Sequence, residues 1–229
     1  MQYHNRYQRY HKGNLPHIQP EESTIFITIR LDIPLNQEYF DLLIRKKADL
    51  NKSTQSITNI DERRIIFNKM LFAFQDNYYD NYQDTGNLLI NPKYALVVED
   101  ALHNLNNIMY ELYAFTIMPN HVHILCKPLL SYTRDEYSLP MIISRIKGRT
   151  SRLINFDMKR SGRLWQKEYY DHYVRNEREF NNIVRYIVVN PFKAGFVEQP
   201  RLWKWTWVAD DFRNVLDEDY LREDEAIWG

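Results

Sequence analysis

The chain has almost no cysteine. Cys126 is the only one among 229 residues. No intramolecular disulfide can form, a disulfide-built secreted scaffold is excluded, and a reducing cytoplasm fits. Glycine is scarce too, with six residues beside nine prolines, too few for a long flexible linker. No run approaches the roughly 18 apolar residues of a membrane span. The opening "MQYHNRYQRYHKG" is polar and aromatic and lacks the apolar core of a signal peptide. Net charge is also missing, since 30 Lys and Arg balance 30 Asp and Glu. A neutral total argues mildly against nucleic acid as a partner.

What is present changes that reading. Hydrophobic residues make up 44% and charged residues 26%, ordinary for one globular core. The charge is segregated along the chain. Arg145, Lys147, Arg149, Arg152, Lys159, Arg160 and Arg163 stand against a single acid, Asp157, between Met141 and Arg163. After Val208, eight acids face two arginines. Screening confines each charge to about 10 Å at moderate salt, so a local basic face binds phosphates whatever the total.

Hydrophobic periodicity gives an outline of elements. Residues 1–22 read as an extended basic and aromatic arm, with Pro16 and Pro20 blocking helix. "STIFITIRL" (23–31) alternates as a strand and stops before Pro34. Ile65, Ile66, Met70, Phe72 and Phe74 fall near helical spacing, which predicts a helix from 61 to about 76. A second helix over 91–110 has Asn91 as cap, Pro92 in its first turn, and Ala95, Val98, Leu102 and Leu105 along one face. "LYAFTIM" and "HVHILCKP" read as strands joined by a tight "PN" turn. A basic helix follows over 139–155, with Ile142, Ile143, Ile146 and Leu153 inward. "YYDHYVR" (169–175) reads as an edge strand. A helix over 176–190 is capped by Asn176, with Glu179 three residues on in a capping-box pattern, and "NPFKAG" closes it. Strands and helices mixed in this order predict an α+β domain, an antiparallel sheet with helices packed on it. The division is an arm (1–22), a domain (23–208) and an acidic tail (209–229), with no internal repeat.

Two patterns carry chemistry. In "MPNHVHIL" (118–125), His121 and His123 share one face of a strand, while Val122, Ile124 and Cys126 share the other. Taken alone, the pair reads as two solvated histidines on a half-exposed strand. The alternative is the start of a divalent-metal site that needs a third ligand. Leu125 stands where a histidine-triad nucleotide hydrolase would carry a third histidine, which counts against that class. On the 176–190 helix the apolar stripe is Phe180, Ile183, Val184, Ile187 and Val188. Tyr186 and Asn190 lie at i and i+4, about 40° apart, at its border. They read as a boundary tyrosine with a helix-ending asparagine, or as a phenol nucleophile for a phosphodiester beside a metal-ligating amide.

The motifs "YAFTIMPNHVHILCKP", "IISRIKGRTSRLIN" and "LWQKEYYDHYVRNEREFNNIVRYIVVNPFKAGFVE", in this order, resemble the single-tyrosine HUH transposases, most closely their REP-associated branch. "LPHIQPEESTIFITIRL" and "LWKWTW" resemble that branch too. The resemblance spans about residues 15–208. Residues 32–60 and the acidic tail have no counterpart in it. It implies a ferredoxin-like α+β core, the HUH endonuclease core. It implies a divalent metal, Mg²⁺ or Mn²⁺, held by His121, His123 and Asn190, and Tyr186 as nucleophile. The partner implied is single-stranded DNA beside an imperfect hairpin, cut through a 5′-phosphotyrosine by a monomer or homodimer. It places the protein in the bacterial cytoplasm, at the nucleoid when on DNA, and away from membranes.

Around that centre, Arg145, Lys147, Arg149, Arg152, Lys159, Arg160 and Arg163 are expected on phosphates. Tyr169 and Tyr170 are the next tyrosines in line as nucleophile, or plain strand residues. Trp203, Trp205 and Trp207 alternate, for core packing or for stacking on bases. Arg6, Arg9 and Lys12 in the arm are candidates to grip a hairpin. Two other functions fit the same residues less fully: a non-catalytic single-stranded nucleic-acid binder descended from a transposase, and a metal-dependent nucleotide phosphohydrolase.

Overall fold

The computed structural model describes the backbone of residues 7–10, 17–20, 22–81, 86–131 and 137–216. The arm residues Arg6 and Lys12, and the acidic tail beyond 216, lie outside it. Chain contacts divide the fold into two compact units, residues Ile33–Gly86 and the chain before and after them.

The larger unit is built on five antiparallel strands. Two short strands, β1 (Tyr7–Tyr10) and β2 (His17–Pro20), pair with each other. The main sheet contains β3 (Ile25–Arg30), β4 (Tyr110–Ile117), β5 (His121–Pro128), β6 (Tyr170–Tyr173) and β7 (Thr206–Val208). Its order is β6-β3-β5-β4-β7. Three helices belong to this unit: α3 (Pro92–His103), α4 (Leu139–Asp157) and α5 (Glu177–Lys193). The sequence β3-α3-β4-β5-α4-β6, with β3 and β5 central, is the split β-α-β arrangement of ferredoxin-like folds. The expected α+β class is borne out, with α5 and β7 added to that core.

Sheet register fixes what each face carries. Thr28 on β3 lies opposite His123 on β5, and Arg30 opposite His121. Thr116 on β4 lies on the other side of His123. The opposite face carries Ile25, Ile27, Ile29, Val122, Ile124 and Phe115, all buried. Against that apolar face packs α3, whose last residue His103 sets its ring on Phe115 and Trp207. Beside α3 lies α4, tied to it by Asp157, which meets Lys93 and accepts from the Tyr94 hydroxyl at 3.1 Å. The histidine face is covered by α5. A bulge in β4 at Tyr113 sets that ring edge-on to Phe180 of α5.

Local chemistry explains the ends of α5. Asn176 Oδ1 accepts from Glu179 N–H at 2.9 Å. The Glu179 carboxylate returns to the Arg175 N–H at 2.9 Å and to His172 Nε2 at 2.8 Å, a capping box displaced by one residue. The helix does not stop at Pro191, as the sequence suggested. It runs one more turn to Lys193, because a proline near a helix end forfeits only one backbone hydrogen bond. Gly195, at φ +76°, then closes it. Phe196 N–H bonds to Pro191 C=O and Gly195 N–H to Phe192 C=O, the paired bonds of a Schellman motif.

Other boundaries moved as well. Leu153 of α4 is 39% exposed and Ile154 is buried instead, because the buried row follows the i+4 ridge through Ile146, Thr150 and Ile154. The 91–110 helix ends at His103, with Asn104 as its C-cap, and Asn107 beyond it takes a left-handed conformation at φ 60°. Leu105 thus falls beyond its end.

The smaller unit is a helical pair, α1 (Gln37–Ser53) and α2 (Ile60–Asp80). Asn36 and Asn59 cap them. Tyr39 on α1 packs on Tyr78 with ring centroids 4.4 Å apart and accepts from Gln75 Nε2 at 3.0 Å. The buried residues of α2 are Leu71, Phe72, Asp76 and Tyr79, while Met70 is 40% exposed. No described helix is long and apolar enough to cross a membrane.

Candidate catalytic centre

His121 and His123 are fully buried, which corrects the reading of two solvated histidines. The reason is that α5 lies over their face of the sheet. Each imidazole is held at Nδ1 by an oxygen. His121 Nδ1 is 2.7 Å from Asn120 Oδ1, and Asn120 offers its NH₂ to Asn87 Oδ1 at 3.4 Å. That leaves the Asn120 oxygen to accept, so His121 carries its proton on Nδ1 and presents a lone pair at Nε2. His123 Nδ1 is 2.8 Å from Thr28 Oγ1. The two Nε2 atoms then face each other at 3.0 Å.

Thr28 suits this place because a hydroxyl can donate or accept. With His123 Nε2–H given to His121, the hydroxyl donates to Nδ1. Were a cation to take the Nε2 lone pair, the proton would sit on Nδ1 and the hydroxyl would accept. Such oxygen partners orient metal-binding imidazoles and are worth about 10–100-fold in affinity. Thr28→Val should therefore weaken Mn²⁺ binding on that scale by titration calorimetry, while Thr28→Ser keeps it. Equal affinity in Thr28→Val would show that the hydroxyl does not orient the ring.

Tyr186 reaches the same place from α5. Its ring lies 5.2 Å from that of His123 and 5.8 Å from Phe26. Phe26 in turn stacks on His123 at 5.6 Å. Asn190 follows one turn along the helix and is 2% exposed. Its Oδ1 is buried with no hydrogen-bond partner among the described residues, a costly state for an amide oxygen. The structure thus brings His121, His123 and Tyr186 together, with the unpartnered Asn190 oxygen a turn beyond. Asn120, Thr28 and Phe26 are the supporting residues that sequence reasoning missed. Asn120 adjoins the histidine pair in sequence, but nothing local in the sequence marks Thr28 or Phe26, which arrive through strand pairing.

The other candidates divide. Arg145, Arg149, Arg152, Lys159, Arg160 and Arg163 are exposed along and just after α4, on the sheet face opposite α5. Lys147 departs from that set. It sits only about 20° round the helix from Ile154 at the edge of the buried row, and its ammonium donates to the carbonyls of Gln166, Lys167 and Glu168 at 2.8, 3.3 and 3.2 Å. Burial pushes that ammonium down to about 8, with Glu168 pulling upward. Between about pH 8 and 10.5 the folded protein therefore holds fewer protons there than the unfolded chain, and stability gains with pH. Lys147→Met should remove that gain, read as the difference in urea midpoint between pH 8 and pH 10. An unchanged pH difference would mean that Lys147 is not shifted.

Tyr170 is buried edge-on to Phe26 at 6.2 Å. Tyr169 lies under the Lys147 ammonium, 5.5 Å from its ring centre, and burial raises its phenol. Of the three tryptophans Trp205 packs inside the protein, and Trp203 and Trp207 are half-buried. Trp203 donates to Ile117 C=O at 3.1 Å, Trp205 is buried, and Trp207 stacks on Phe115 at 5.9 Å.

Residues 89–190 match the family described as "Transposase IS200 like". The chain is 26% identical over 121 residues to a provisionally named REP-associated tyrosine transposase of Haemophilus influenzae, across 48% of this chain and 66% of that protein. The match thus spans just under two thirds of that relative's length. It is 23% identical over 141 residues to the REP-associated tyrosine transposase of Escherichia coli K12, across 61% of this chain and 80% of that protein. Among solved structures, a REP-associated tyrosine transposase bound to a REP hairpin aligns at TM-score 0.48 and 14% identity, over 95% of this chain and 92% of that one. The resemblance drawn from the motifs is borne out by the sequence matches.

Proposed function

We propose that this chain, IS200-like in sequence from Leu89 to Asn190, is a transposase that cuts and rejoins single-stranded DNA through Tyr186. The observation that carries the reading is the meeting of two buried imidazoles, their Nε2 atoms 3.0 Å apart, with a tyrosine ring centred 5.2 Å from the His123 ring.

In this reading the Tyr186 phenolate oxygen bonds to the scissile phosphorus. The P–O3′ bond breaks, and the released 3′ oxygen takes a proton while the phenol has lost one. The product is a 5′-phosphotyrosine and a free 3′-hydroxyl. Attack by another 3′-hydroxyl reverses the step and joins strands without an external energy source.

His121, His123 and Asn190 would hold a divalent cation, Mg²⁺ or Mn²⁺. The donors fit. Two neighbouring ligands about 2.1 Å from an octahedral ion stand roughly 3.0 Å apart, the separation of the imidazole nitrogens. Asn190 offers an oxygen that has no partner among the described residues. Such an ion supplies neutralisation of the charge on the phosphate oxygens. Phe26 and His123 hold the Tyr186 ring from the side. The exposed arginines of α4 offer sites for the strand's phosphates. Hairpin DNA, the partner that the motif resemblance implies, is the probe of choice.

Labelled single-stranded hairpin DNA, taken from the sequence flanking the protein's own gene, is incubated with protein and Mn²⁺ and run on a denaturing protein gel. A covalent adduct is the expected result. Cleaved DNA without an adduct would support a hydrolase instead. Shifted but uncut DNA on a native gel would support a non-catalytic binder.

A further inference from the structure

We propose that a cleft beside α4, separate from the catalytic centre, receives one unpaired nucleotide of the DNA strand. The proposal rests on the DNA-processing reading above. The cleft measures about 460 Å³ and is walled by α4 and the segment leading into β6, within the roughly 300–1,000 Å³ range of small-ligand sites.

Its chemistry suits a base with a phosphate. Ile143 and Trp165 give it an apolar floor, and Tyr169 supplies an aromatic wall. Lys147, Arg163 and Lys167 line it against one acid, Glu168. Two of those cations are already engaged, Lys147 by the three carbonyls and Arg163 by Asp32 at 3.7 Å, which leaves Lys167 the freest to meet a phosphate.

Gly148 is the feature the fold itself does not explain. It sits inside α4, where glycine costs about 1 kcal/mol relative to alanine. Its φ is not positive, and a Cβ added there would meet nothing within 4 Å. Neither conformation nor packing requires it. Close approach of a ligand to the helix backbone does. At about 100° per residue, Ser144, Gly148 and Ser151 form one row lining the cleft. Arg145 and Arg152 project about 40–60° further round from Gly148. A strand with its phosphates on those arginines can drop a base into the cleft.

The cleft also borders the catalytic centre through the chain. Trp165 bridges Leu31 at the end of β3, and Gln166 N–H bonds to Arg30 C=O, the residue paired with His121. Tyr169 precedes Tyr170, whose ring meets Phe26 beside Tyr186. The strand would pass from one sheet face to the other around the β6 edge.

Gly148→Leu fills the cleft without touching the centre. The protein is titrated against single-stranded hairpin oligonucleotides in which 2-aminopurine replaces one unpaired base at a time. Wild type should show one position whose fluorescence changes on binding. Gly148→Leu should abolish that change and weaken binding about 5–150-fold, the scale of one lost base stack, with a thermal midpoint equal to or above wild type. Ser144→Leu, on the same row, should behave alike and stands in if Gly148→Leu does not fold. Full affinity and an unchanged fluorescence response in both folded variants would overturn the cleft alone. No DNA binding by wild type would overturn the DNA reading and the cleft with it.

Discussion

Tyr186→Phe should form no covalent DNA adduct, with adduct yield down at least about a thousandfold, the scale on which covalent nucleophiles fail when removed. The substitution keeps the ring that packs on Phe26 and His123 and removes one oxygen from a half-buried site. Stability should stay within about 0.5 kcal/mol of wild type, and hairpin DNA should still bind, because the α4 arginines are untouched. Loss of adduct with folding and binding intact isolates the chemical step. Adduct formation at the wild-type level would move the nucleophile elsewhere, with Tyr170 and Tyr169 next to examine.

His123→Ala should abolish calorimetric Mn²⁺ binding and lower adduct formation about a hundredfold or more, the cost of losing one group that stabilises developing charge. Chelation of the wild-type protein should have the same effect, and added Mn²⁺ should restore it. The alanine variant should resist this rescue. It also leaves Thr28 Oγ1 and His121 Nε2 without their buried partner, so some loss of stability is expected. His123→Asn, which keeps a polar side chain in the same space, separates that loss from the loss of metal. Undiminished adduct in both variants would remove the imidazole pair from the chemistry.

Much of the core could be read from local pattern. The strands around the "PN" turn, the Asn91 and Asn176 caps and the placement of "YYDHYVR" at the sheet edge all follow from alternation and capping chemistry. Helix α1 could not be read that way. Of its residues only Tyr39 and Leu50 are buried, eleven positions apart, so it shows no continuous apolar stripe. Asn36 before "QEYF" was its one local sign. The run of α5 through Pro191 depended on the Schellman closure at Gly195. Proline alone signals an end, and the closure became visible only in the backbone.

The candidate centre divides along the same line. His-X-His on a strand and Tyr186 with Asn190 on a helix are periodicity statements, and periodicity placed them. The burial of the histidines was not legible, because it depends on α5 folding back across the sheet. Thr28 lies 95 positions from His123 and reaches it through strand register alone. Charge alone groups Lys147 with the arginines, whereas its position on the helix turns it toward backbone carbonyls.

The central claim is that the phenol of Tyr186 is the atom joined to DNA. Trypsin digestion of the Mn²⁺-dependent adduct, followed by mass spectrometry, locates the joined residue directly. The account predicts a 5′-phosphonucleotide on the peptide containing Tyr186 and on no other. A nucleotide on the peptide carrying Tyr169 and Tyr170 would contradict it.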